Sequence, residues 1–436
     1  MQFKLMPGGA LRGEVRVPGD KSISHRAIML GALADGITHI SGFLEGEDAL
    51  ATLAAFRAMG VKIEGPASGS VRVHGVGLHG LQAPATPLDL GNAGTGMRLL
   101  CGLLAGQAFD TELTGDASLC SRPMGRVIDP LTSMGAVIQS AEGGKPPLLI
   151  SGGQRLQGIH YDLPMASAQV KSCVLLAGLY SDGRTSVTEP APTRDHTERM
   201  LRGFGYPVES EQGVISLRGG GRLQPREIDV PADISSAAFF LVAASIAPGS
   251  DVLLAHVGIN PTRTGVLNIL QLMGADITLC NQREVGGEPV ADIRVRHAPL
   301  RGVDIPLGQV PLAIDEFPVL FIAAACAQGR TVLRGAEELR VKESDRIAAM
   351  AEGLNTLGVV SEVLEDGIII EGGTMGGGVI HTYHDHRIAM SFAIAALRAQ
   401  GEITVLDCDH VATSFPGFDA LAQGLGLQIT TESGQA

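Results

Sequence analysis

The stretch VRVPGDKSISHRAIMLGALADG, residues 15–36, decides the fold: a short strand-like run leads into a polar turn near Pro18 and then into an apolar helix. Apolar residues before the turn favour a strand, and the apolar run after it favours a buried helix. The same succession returns five times, with turns that begin near Leu90, Leu163, Val230, Ile314 and Tyr383. A strand and a helix in every copy predict an α/β protein made of six related units.

A second series of amphipathic helices lies between these turns. Each of these helices ends in a small turn that contains a glycine: Gly60, Gly135, Gly205, Gly274, Gly358 and Gly426. Both series advance by roughly 70 residues, a period that is typical of stacked supersecondary units. A chain of 436 residues is long for one core, and a prior of about 150 residues per domain suggests two or three domains. Six units divide most simply into two domains of three.

Charge and composition disfavour several classes of function. A formal net charge of −13 disfavours non-specific binding to nucleic acid or acidic membranes, and 4% aromatic residues leave few platforms for stacking bases. A small anionic substrate is compatible with this charge if Arg and Lys are concentrated at one site. We therefore expect no nucleic-acid partner and no membrane partner.

The cysteines and the first residues predict a cytoplasmic protein. The cysteines are scattered, without a C-x-x-C pair, and are expected to be reduced and mostly buried: Cys101, Cys120, Cys173, Cys280, Cys326 and Cys408. The segment MQFKLMPGGALRG reaches Pro-Gly-Gly before an apolar signal-peptide core forms. No run attains the ~18 apolar residues of a membrane span.

The first polar turns carry candidate ligands for an anion. Each turn is expected at a helix amino terminus, where N–H groups and the helix dipole favour bound anions. Lys21, Ser22 and Arg26 can all face one phosphate or carboxylate. The second turn, Gly91 to Gly96, lets a ligand approach the backbone amides, although no phosphate-loop G-K-[ST] follows it. The alternatives are a Ser cap between two solvated cations and glycines that only serve a tight turn.

Carboxylates and cations occur together later in the chain. Asp315 and Glu316 open the fifth helix, and the run KESDR spans Lys342 to Arg346. Mutual pairing of such groups tunes proton transfer, which acid–base chemistry on an anion requires. The alternative for KESDR is a surface ion-pair network at a helix start.

Two polar clusters are ambiguous. His381, His384 and His386 resemble a metal site, but Arg387 beside them would repel a cation, so a structural or hydrogen-bonding role fits them better. In the segment RDHTE, residues 194–198, the aspartate is a candidate helix cap and the arginine is free to reach into a cleft.

Ten motifs occur in an order that resembles one enzyme family. They are PGDKSISHR, LGNAGTGMR, RPMGR, PMASAQVKS, TRDHTERM, NPTRTG, IDEFP, LRVKESDR, DHRIAMSF and ATSFP. From near residue 4 to residue 429 the chain resembles the 5-enolpyruvylshikimate-3-phosphate synthase family. The forms GDKS, SAQVK, RDHTE and NPTR are similar to the class II sequences of that family.

The resemblance implies the two-domain enolpyruvyl transferase fold. This fold is an inside-out α/β barrel with six βαβαββ repeats, three in each domain, and its domains close over the substrates. The crossovers are expected near residues 20 and 233. Residues 21–232 would then form one domain, and residues 1–20 with 233–436 the other.

The resemblance also implies the reaction. The enolpyruvyl group of phosphoenolpyruvate moves to the 5-hydroxyl of shikimate 3-phosphate through a tetrahedral intermediate, and phosphate leaves, with no metal and no organic cofactor. Carried over by motif, the catalytic candidates are Lys21, Asp315 and Glu343. The expected shikimate 3-phosphate ligands are Lys21, Ser22, Arg26, Ser167, Ala168, Gln169, Arg194, Asp315 and Lys342. The expected phosphoenolpyruvate ligands are Lys21, Gly94, Arg122, Gln169, Arg346 and Arg387.

The chain departs from the family pattern at one place. Many members carry Lys two residues before the Phe-Pro of the last motif, whereas this chain has Thr413, so that cationic contact is absent. Glyphosate, an inhibitor in this family, occupies the phosphoenolpyruvate site, and some tolerant class II members have alanine where this chain has Gly94. A monomer is expected.

Three other functions are considered. The sister enolpyruvyl transferase that acts on UDP-N-acetylglucosamine carries a reactive loop cysteine, and Cys120 lies near that region. A metal-dependent hydrolase would use the histidine cluster. A noncatalytic repeat scaffold would show exposed stripes instead of acid–base residues at helix starts.

Overall fold

The computed structural model describes residues 1–433 and divides the chain into two compact units. Unit 1 contains Met1–Pro18, Pro231–Glu284 and the described residues from Pro289 onward. Unit 2 contains Gly19–Val230 and the short segment Val285–Glu288. Within residues 1–433 no helix combines the length and apolar character needed to cross a bilayer.

The described residues contain thirteen α-helices. They are α1 (Lys21–Leu33), α2 (Glu47–Ala58), α3 (Gly94–Ala105), α4 (Ala117–Ser121), α5 (Gly125–Ser133), α6 (Ala168–Gly178), α7 (His196–Gly203), α8 (Ile234–Ile246), α9 (Gly265–Leu272), α10 (Phe317–Cys326), α11 (Arg346–Thr356), α12 (His386–Ala395) and α13 (Phe418–Leu425). Short 3₁₀ helices cover Leu307–Gln309, Glu337–Val341 and Cys408–Thr413. The six long apolar helices begin at the six polar turns, as the repeats predict.

The strands of the described chain are short. They are β1 (Gln2–Leu5), β2 (Arg12–Val15), β3 (Ile37–Ser41), β4 (Lys62–Ala67), β5 (Ser70–His74), β6 (Leu88–Asp89), β7 (Thr111–Thr114), β8 (Val137–Ala141), β9 (Lys145–Ser151), β10 (His160–Asp162), β11 (Arg184–Thr188), β12 (Glu209–Glu211), β13 (Val214–Arg218), β14 (Glu227–Asp229), β15 (Asp251–Gly258), β16 (Asp276–Val285), β17 (Glu288–Arg296), β18 (Arg330–Leu333), β19 (Ser361–Val363), β20 (Ile368–Glu371), β21 (Gly378–Ile380), β22 (Ile403–Val405) and β23 (Ile429–Glu432). They form six small sheets, three in each unit.

Two repeats of unit 2 are continuous in sequence, and the third is completed from a distance. The sheets β6-β7-β9-β8 and β10-β11-β13-β12 each come from one βαβαββ repeat. In the third sheet, order β14-β3-β5-β4, the first position is filled by β14, which pairs in parallel with β3. The strand that precedes α1 in sequence, β2, belongs to unit 1, because the chain passes between the units at Pro18 and Gly19.

Unit 1 shows the complementary arrangement. β2 pairs in parallel with β15 and completes the sheet β16-β17-β15-β2. β1 lies between β22 and β23, antiparallel to both, so the sixth repeat is completed by the first strand of the chain. The helices α8, α10 and α12 pack against one another.

The expectation of a strand directly before the fifth polar turn is wrong. The third sheet of unit 1 has only three strands, in the order β18-β20-β19. In place of a fourth, parallel strand there are two single bridges, Arg301 with Gln328 and Asp304 with Val332, and the 3₁₀ helix Leu307–Gln309 follows them. Residues 305–312 contain Pro306 and Pro311. Since proline cannot donate a ladder hydrogen bond, the strand does not continue to the turn.

The glycines that end the second series of helices all have a positive φ angle. Their φ angles are +86° at Gly60, +100° at Gly135, +77° at Gly205, +94° at Gly274, +82° at Gly358 and +119° at Gly426. This left-handed conformation carries no Cβ penalty in glycine and ends a helix. The period of the glycines therefore reflects a backbone requirement that recurs in each of the six repeats.

His25 of α1 is buried in the core of unit 2. Its Nδ1 lies 2.8 Å from Thr52 Oγ1 on α2, and its Nε2 has no hydrogen-bond partner. Burial, with smaller effects from the charges of Lys21 and Arg26, lowers the pKa of His25 to about 3. The folded protein therefore keeps a neutral ring where the unfolded chain binds a proton.

We expect His25 to make the free energy of unfolding depend on pH between about 6.5 and about 3. In this window the unfolded state binds more protons, so stability is complete above the window and declines as pH falls through it. Denaturant unfolding at several pH values should give a shallower decline for His25→Gln than for the unsubstituted chain. His39→Gln, on an exposed strand position, is the control that should keep the original slope. Identical slopes for all three proteins would contradict the assignment.

Candidate active site

The start of α1 fixes the first candidate residue, Lys21. Asp20 caps the helix, since its Oδ1 accepts a hydrogen bond from Ile23 N at 2.8 Å. Lys21 is the first residue of the helix, and its Nζ lies 2.9 Å from Asp48 Oδ2 on α2. The Lys21 side chain is 19% exposed, so a carboxylate holds it in place while part of the side chain stays accessible.

Arg26 lies one turn further along α1 and is 4% exposed. Its guanidinium donates to Thr197 Oγ1 at 2.7 Å, to Ser172 Oγ at 2.8 Å and to Ser22 O at 2.9 Å. Burial lowers the pKa of Arg26 to about 10, against the opposing charges of nearby carboxylates. The alternative of a solvated cation at this position is therefore wrong. Arg26 is a fixed positive charge in direct contact with the Ser22 carbonyl.

Gly94, the first residue of α3, lies beside two guanidinium groups. A Cβ at this position would lie 3.2 Å from Arg122 Nη1 and 3.4 Å from Arg98 Nη1. Arg122 is oriented by two hydrogen bonds, to Asn92 Oδ1 at 2.7 Å and to Ser118 Oγ at 3.0 Å. The absent side chain of Gly94 thus leaves a space that borders two positive charges.

Arg98 was not among the site residues predicted from the sequence. Its Nη1 donates to Gln169 Oε1 at 2.7 Å, and Gln169 Nε2 donates to Thr95 Oγ1 at 2.9 Å. Gln169 is the second residue of α6. Ser167 caps this helix, since its Oγ accepts a hydrogen bond from Val170 N at 3.4 Å. The spacing gives a signal that could have found Arg98, since it stands four residues after Gly94 just as Arg26 stands four after Ser22.

Arg194 lies directly before α7, and its charge is close enough to lower the pKa of Arg26. Asp195 stands at the N-cap position but makes no side-chain capping bond. Its Oδ2 accepts instead from Arg199 Nε at 2.8 Å. The expectation that Asp195 caps the helix is wrong, because a cation one turn later binds the carboxylate.

In unit 1 the candidate residues form one ionic cluster. Asp315 Oδ1 lies 3.6 Å from Lys342 Nζ and 3.6 Å from Arg346 Nη1, and the Asp315 carbonyl accepts from Arg387 Nη1 at 2.9 Å. Arg346 Nη2 lies 2.6 Å from Glu343 Oε2. Arg346 is 1% exposed, so the alternative of a surface network is wrong for this part of KESDR.

Asp385 was not among the site residues predicted from the sequence. It is the strongest partner of Arg346, with two hydrogen bonds. Its Oδ2 lies 2.8 Å from Arg346 Nε, and its Oδ1 accepts from the N–H of Arg387 at 2.9 Å as the cap of α12. Burial by itself raises the pKa of Asp385, but the guanidinium of Arg346 outweighs it, and the pKa is below the ordinary value. The signal in the sequence was a capping aspartate immediately before an apolar helix.

The two adjacent carboxylates of the fifth turn have different partners. Asp315 contacts the cluster above, whereas Glu316 is 2% exposed and accepts from Ser235 Oγ. Arg263 Nη2 lies 3.7 Å from Glu316 Oε1 and 3.4 Å from Asp233 Oδ1. Glu316 is therefore part of a buried network, and only Asp315 remains a candidate for proton transfer.

The histidine cluster does not form a ligand set in the described structure. Across residues 1–433, no three His, Cys, Asp or Glu side chains are placed to hold a metal ion. The ring of His384 packs edge-on against His410, with centroids 5.2 Å apart. Thr413, where many family members carry Lys, is 5% exposed and donates to the His410 carbonyl at 2.7 Å.

The described cysteines are unpaired thiols, as expected. Cys120, which the sister-enzyme alternative would need in a reactive loop, lies in α4 instead. Its thiol donates to the Gly115 carbonyl at 3.3 Å.

Comparison with known proteins identifies the family. The family model that matches the chain is that of EPSP synthase (3-phosphoshikimate 1-carboxyvinyltransferase), and the match covers residues 5–421. The chain belongs to the EPSP synthase family. The 3-phosphoshikimate 1-carboxyvinyltransferase of Alkalilimnicola ehrlichii is 71% identical over 431 residues, which are 99% of this chain and 97% of that protein. The corresponding protein of Methylococcus capsulatus is 66% identical over 98% of each chain.

Solved structures agree with the family assignment. The EPSP synthase of Acinetobacter baumannii is 61% identical and superposes with a TM-score of 0.90, covering 99% of this chain and 100% of that one. The enolpyruvyl transferase NikO of Streptomyces tendae, at 19% identity and a TM-score of 0.80, shares the fold. The prediction of an α/β enolpyruvyl transferase enzyme is confirmed.

We expect Asp385→Asn to lower the free energy of unfolding by about 3 kcal/mol, because it leaves the buried Arg346 without its fully buried counterion. Urea denaturation at neutral pH measures this change. The matched control is Asp182→Asn, which removes the partner of Arg155 from a pair whose side chains are 55% and 84% exposed and should change stability by less than ~1 kcal/mol. Equal losses of unfolding free energy in both variants would show that the buried pair stabilises the protein no more than the exposed pair does.

Proposed function

We propose that the chain transfers the enolpyruvyl group of phosphoenolpyruvate to the 5-hydroxyl of shikimate 3-phosphate and releases inorganic phosphate. The observation that carries this proposal is the placement of cations in a chain whose net charge is −13. They gather in the first two turns of helices or directly after short helices: Lys21, Arg26, Arg98 and Arg122 in unit 2, and Lys342, Arg346 and Arg387 in unit 1. Two polyanionic substrates require such sites.

The motif residues are assigned to the two substrates as follows. We assign shikimate 3-phosphate to Lys21, Ser22, Arg26, Ser167, Ala168, Gln169, Arg194, Asp315 and Lys342. We assign phosphoenolpyruvate to Lys21, Gly94, Arg122, Gln169, Arg346 and Arg387, with Arg98 added from its contact with Gln169. The arginines suit carboxylate and phosphate oxygens because the planar guanidinium donates in a fixed fork.

Three residues are proposed to move protons. During addition, the 5-hydroxyl oxygen bonds to the central carbon of phosphoenolpyruvate and its proton passes to Asp315, while a proton is delivered to the methylene carbon. Elimination removes a proton from the resulting methyl group as phosphate departs from the tetrahedral intermediate. Glu343 and Lys21 are the candidates for the methylene proton and for the leaving phosphate. Their salt bridges to Arg346 at 2.6 Å and to Asp48 at 2.9 Å hold both groups in position.

The remaining proposals concern the setting of the enzyme. We propose a monomer in the cytoplasm that needs no metal and no organic cofactor. Family membership also makes glyphosate a candidate competitor at the phosphoenolpyruvate site.

The first experiment is phosphate release from phosphoenolpyruvate by the purified protein in the presence of a chelator. We expect release that requires shikimate 3-phosphate and is indifferent to the chelator. Asp315→Asn and Glu343→Gln should lower kcat at least ~100-fold if each group transfers a proton. Release driven by UDP-N-acetylglucosamine, or abolished by the chelator, would overturn the proposal.

Gly94→Ala tests the phosphoenolpyruvate site. The added methyl would lie 3.2 Å from Arg122 Nη1 and 3.4 Å from Arg98 Nη1, and such overpacking costs ~1–3 kcal/mol, or about fivefold to 150-fold in affinity for glyphosate. Inhibition assays at fixed phosphoenolpyruvate measure the change. Gly424→Ala, whose Cβ would meet nothing within 4 Å, should be inhibited like the unsubstituted enzyme. Equal inhibition of all three proteins would place the glyphosate site elsewhere.

A further inference from the structure

A fully buried lysine lies next to the candidate ligands of unit 2. Lys171 of α6 is 1% exposed, and its Nζ lies 2.7 Å from Glu198 Oε1 and 3.0 Å from Glu189 Oε2. Nζ also lies 3.5 Å from the carbonyl oxygen of Thr193, whose hydroxyl donates to Glu189. We call Lys171, Glu189, Thr193 and Glu198 the lysine cluster. Its members all lie outside the proposed set of substrate ligands.

The lysine cluster holds the segment that carries Arg194. Residues 189–195 form neither helix nor strand and include Pro190 and Pro192. Because proline lacks an N–H, two of these seven positions have no backbone donor with which to fix the path of the segment. Lys171 binds it at Glu189 and again at Thr193, immediately before Arg194. The path of the backbone at Arg194 therefore depends on a cation that belongs to α6.

Hydrogen bonds between α6 and α7 connect the lysine cluster to Arg26. Ser172, the neighbour of Lys171, accepts from Arg26 Nη2 at 2.8 Å and from Thr197 Oγ1 at 2.8 Å. Adjacent residues of α6 thus bind adjacent residues of α7: Ser172 binds Thr197, and Lys171 binds Glu198. These contacts hold α6 and α7 together next to the candidate ligand Arg26.

Charge explains why the irregular segment is the part that would move. The side chains of Glu189 and Glu198 are 8% and 3% exposed, so their two negative charges need both Lys171 and the nearby Arg26. Without Lys171, one buried carboxylate has no adequate counterion and must reach water. α6 and α7 are helices, whereas residues 189–194 lie outside helices and strands, so we expect this segment to be the part that shifts outward and Arg194 to shift with it.

We propose that Lys171 is a positioning residue for shikimate 3-phosphate, which acts by holding residues 189–194 so that Arg194 is presented to this substrate. The inference rests on the proposed function, because it takes Arg194 as a ligand. Lys171 itself does not touch the substrate. Its effect should therefore be specific to one substrate and should disappear when Arg194 is absent.

The main test uses Lys171→Met combined with Glu198→Gln, which removes one positive and one negative charge and leaves the buried net charge unchanged. Calorimetry should show shikimate 3-phosphate binding weakened about tenfold or more, and KM for this substrate should rise with it. KM for phosphoenolpyruvate should stay within about twofold of its original value. The control, Lys62→Met with Glu64→Gln, removes an exposed pair and should change neither constant.

A double-mutant cycle with Arg194→Ala separates positioning from general damage. If Lys171 acts through Arg194, the cluster variant should cause almost no further loss of shikimate 3-phosphate binding in the Arg194→Ala background. Losses that add in full, or equal losses for both substrates, would overturn the inference. If the unsubstituted enzyme and the Lys171→Met, Glu198→Gln variant bind shikimate 3-phosphate with equal affinity, the inference fails while the proposed function stands.

Glu189→Gln provides the same test should the double variant fail to fold. It keeps the 2.7 Å pair between Lys171 and Glu198 and removes only the charged link to the irregular segment. We expect a smaller loss of shikimate 3-phosphate affinity, about threefold to tenfold, which again vanishes in the Arg194→Ala background. Unchanged affinity in a folded Glu189→Gln protein would also overturn the inference.

Discussion

The complete burial of the repeated helices is the constraint on which the rest of the structure depends. Every residue of α8, from Ile234 to Ile246, is buried, and α10 is buried from Phe317 to Ala325. A helix surrounded by apolar side chains has no place for an unpaired charge along its length. Its amino end is different, because N–H groups there need acceptors and favour anions. The polar residues of each repeat are therefore concentrated at the turn before the helix, and charged residues within a helix, such as Arg26 and Lys171, are held by polar partners.

The cations at these turns are held in place in two different ways. Arg26 is fixed by neutral oxygens of Ser172, Thr197 and Ser22, so much of its charge is left to act on its surroundings. Arg346 is fixed by the carboxylates of Asp385 and Glu343, so its charge is partly spent before any ligand arrives. Both arrangements keep the guanidinium oriented in advance, which is what stabilisation of a developing charge requires.

Local sequence patterns predicted the repeats, the helix starts and the turn glycines, and the family resemblance supplied most candidate ligands. They did not predict Arg98, Asp385 or Lys171, because the importance of these residues lies in partners that are distant in sequence. Arg98 contacts Gln169, and Asp385 contacts Arg346 across 39 positions. Asp315 and Glu316 look equivalent in the sequence, yet one contacts Lys342 and the other accepts from the buried Ser235. No periodicity distinguishes two adjacent carboxylates whose side chains point to different partners.

The sequence by itself determined what each segment can be: strand, capped helix, or turn with a glycine at positive φ, since these follow from periodicity and from the backbone freedom of single residues. Only the tertiary structure decided which segments join. β2 precedes α1 in the chain but pairs with β15, and β14 precedes α8 but pairs with β3. Strand edges offer the same N–H and C=O groups whatever the side chains, so the choice between equivalent strands is made by the packing of whole units and not by the local pattern.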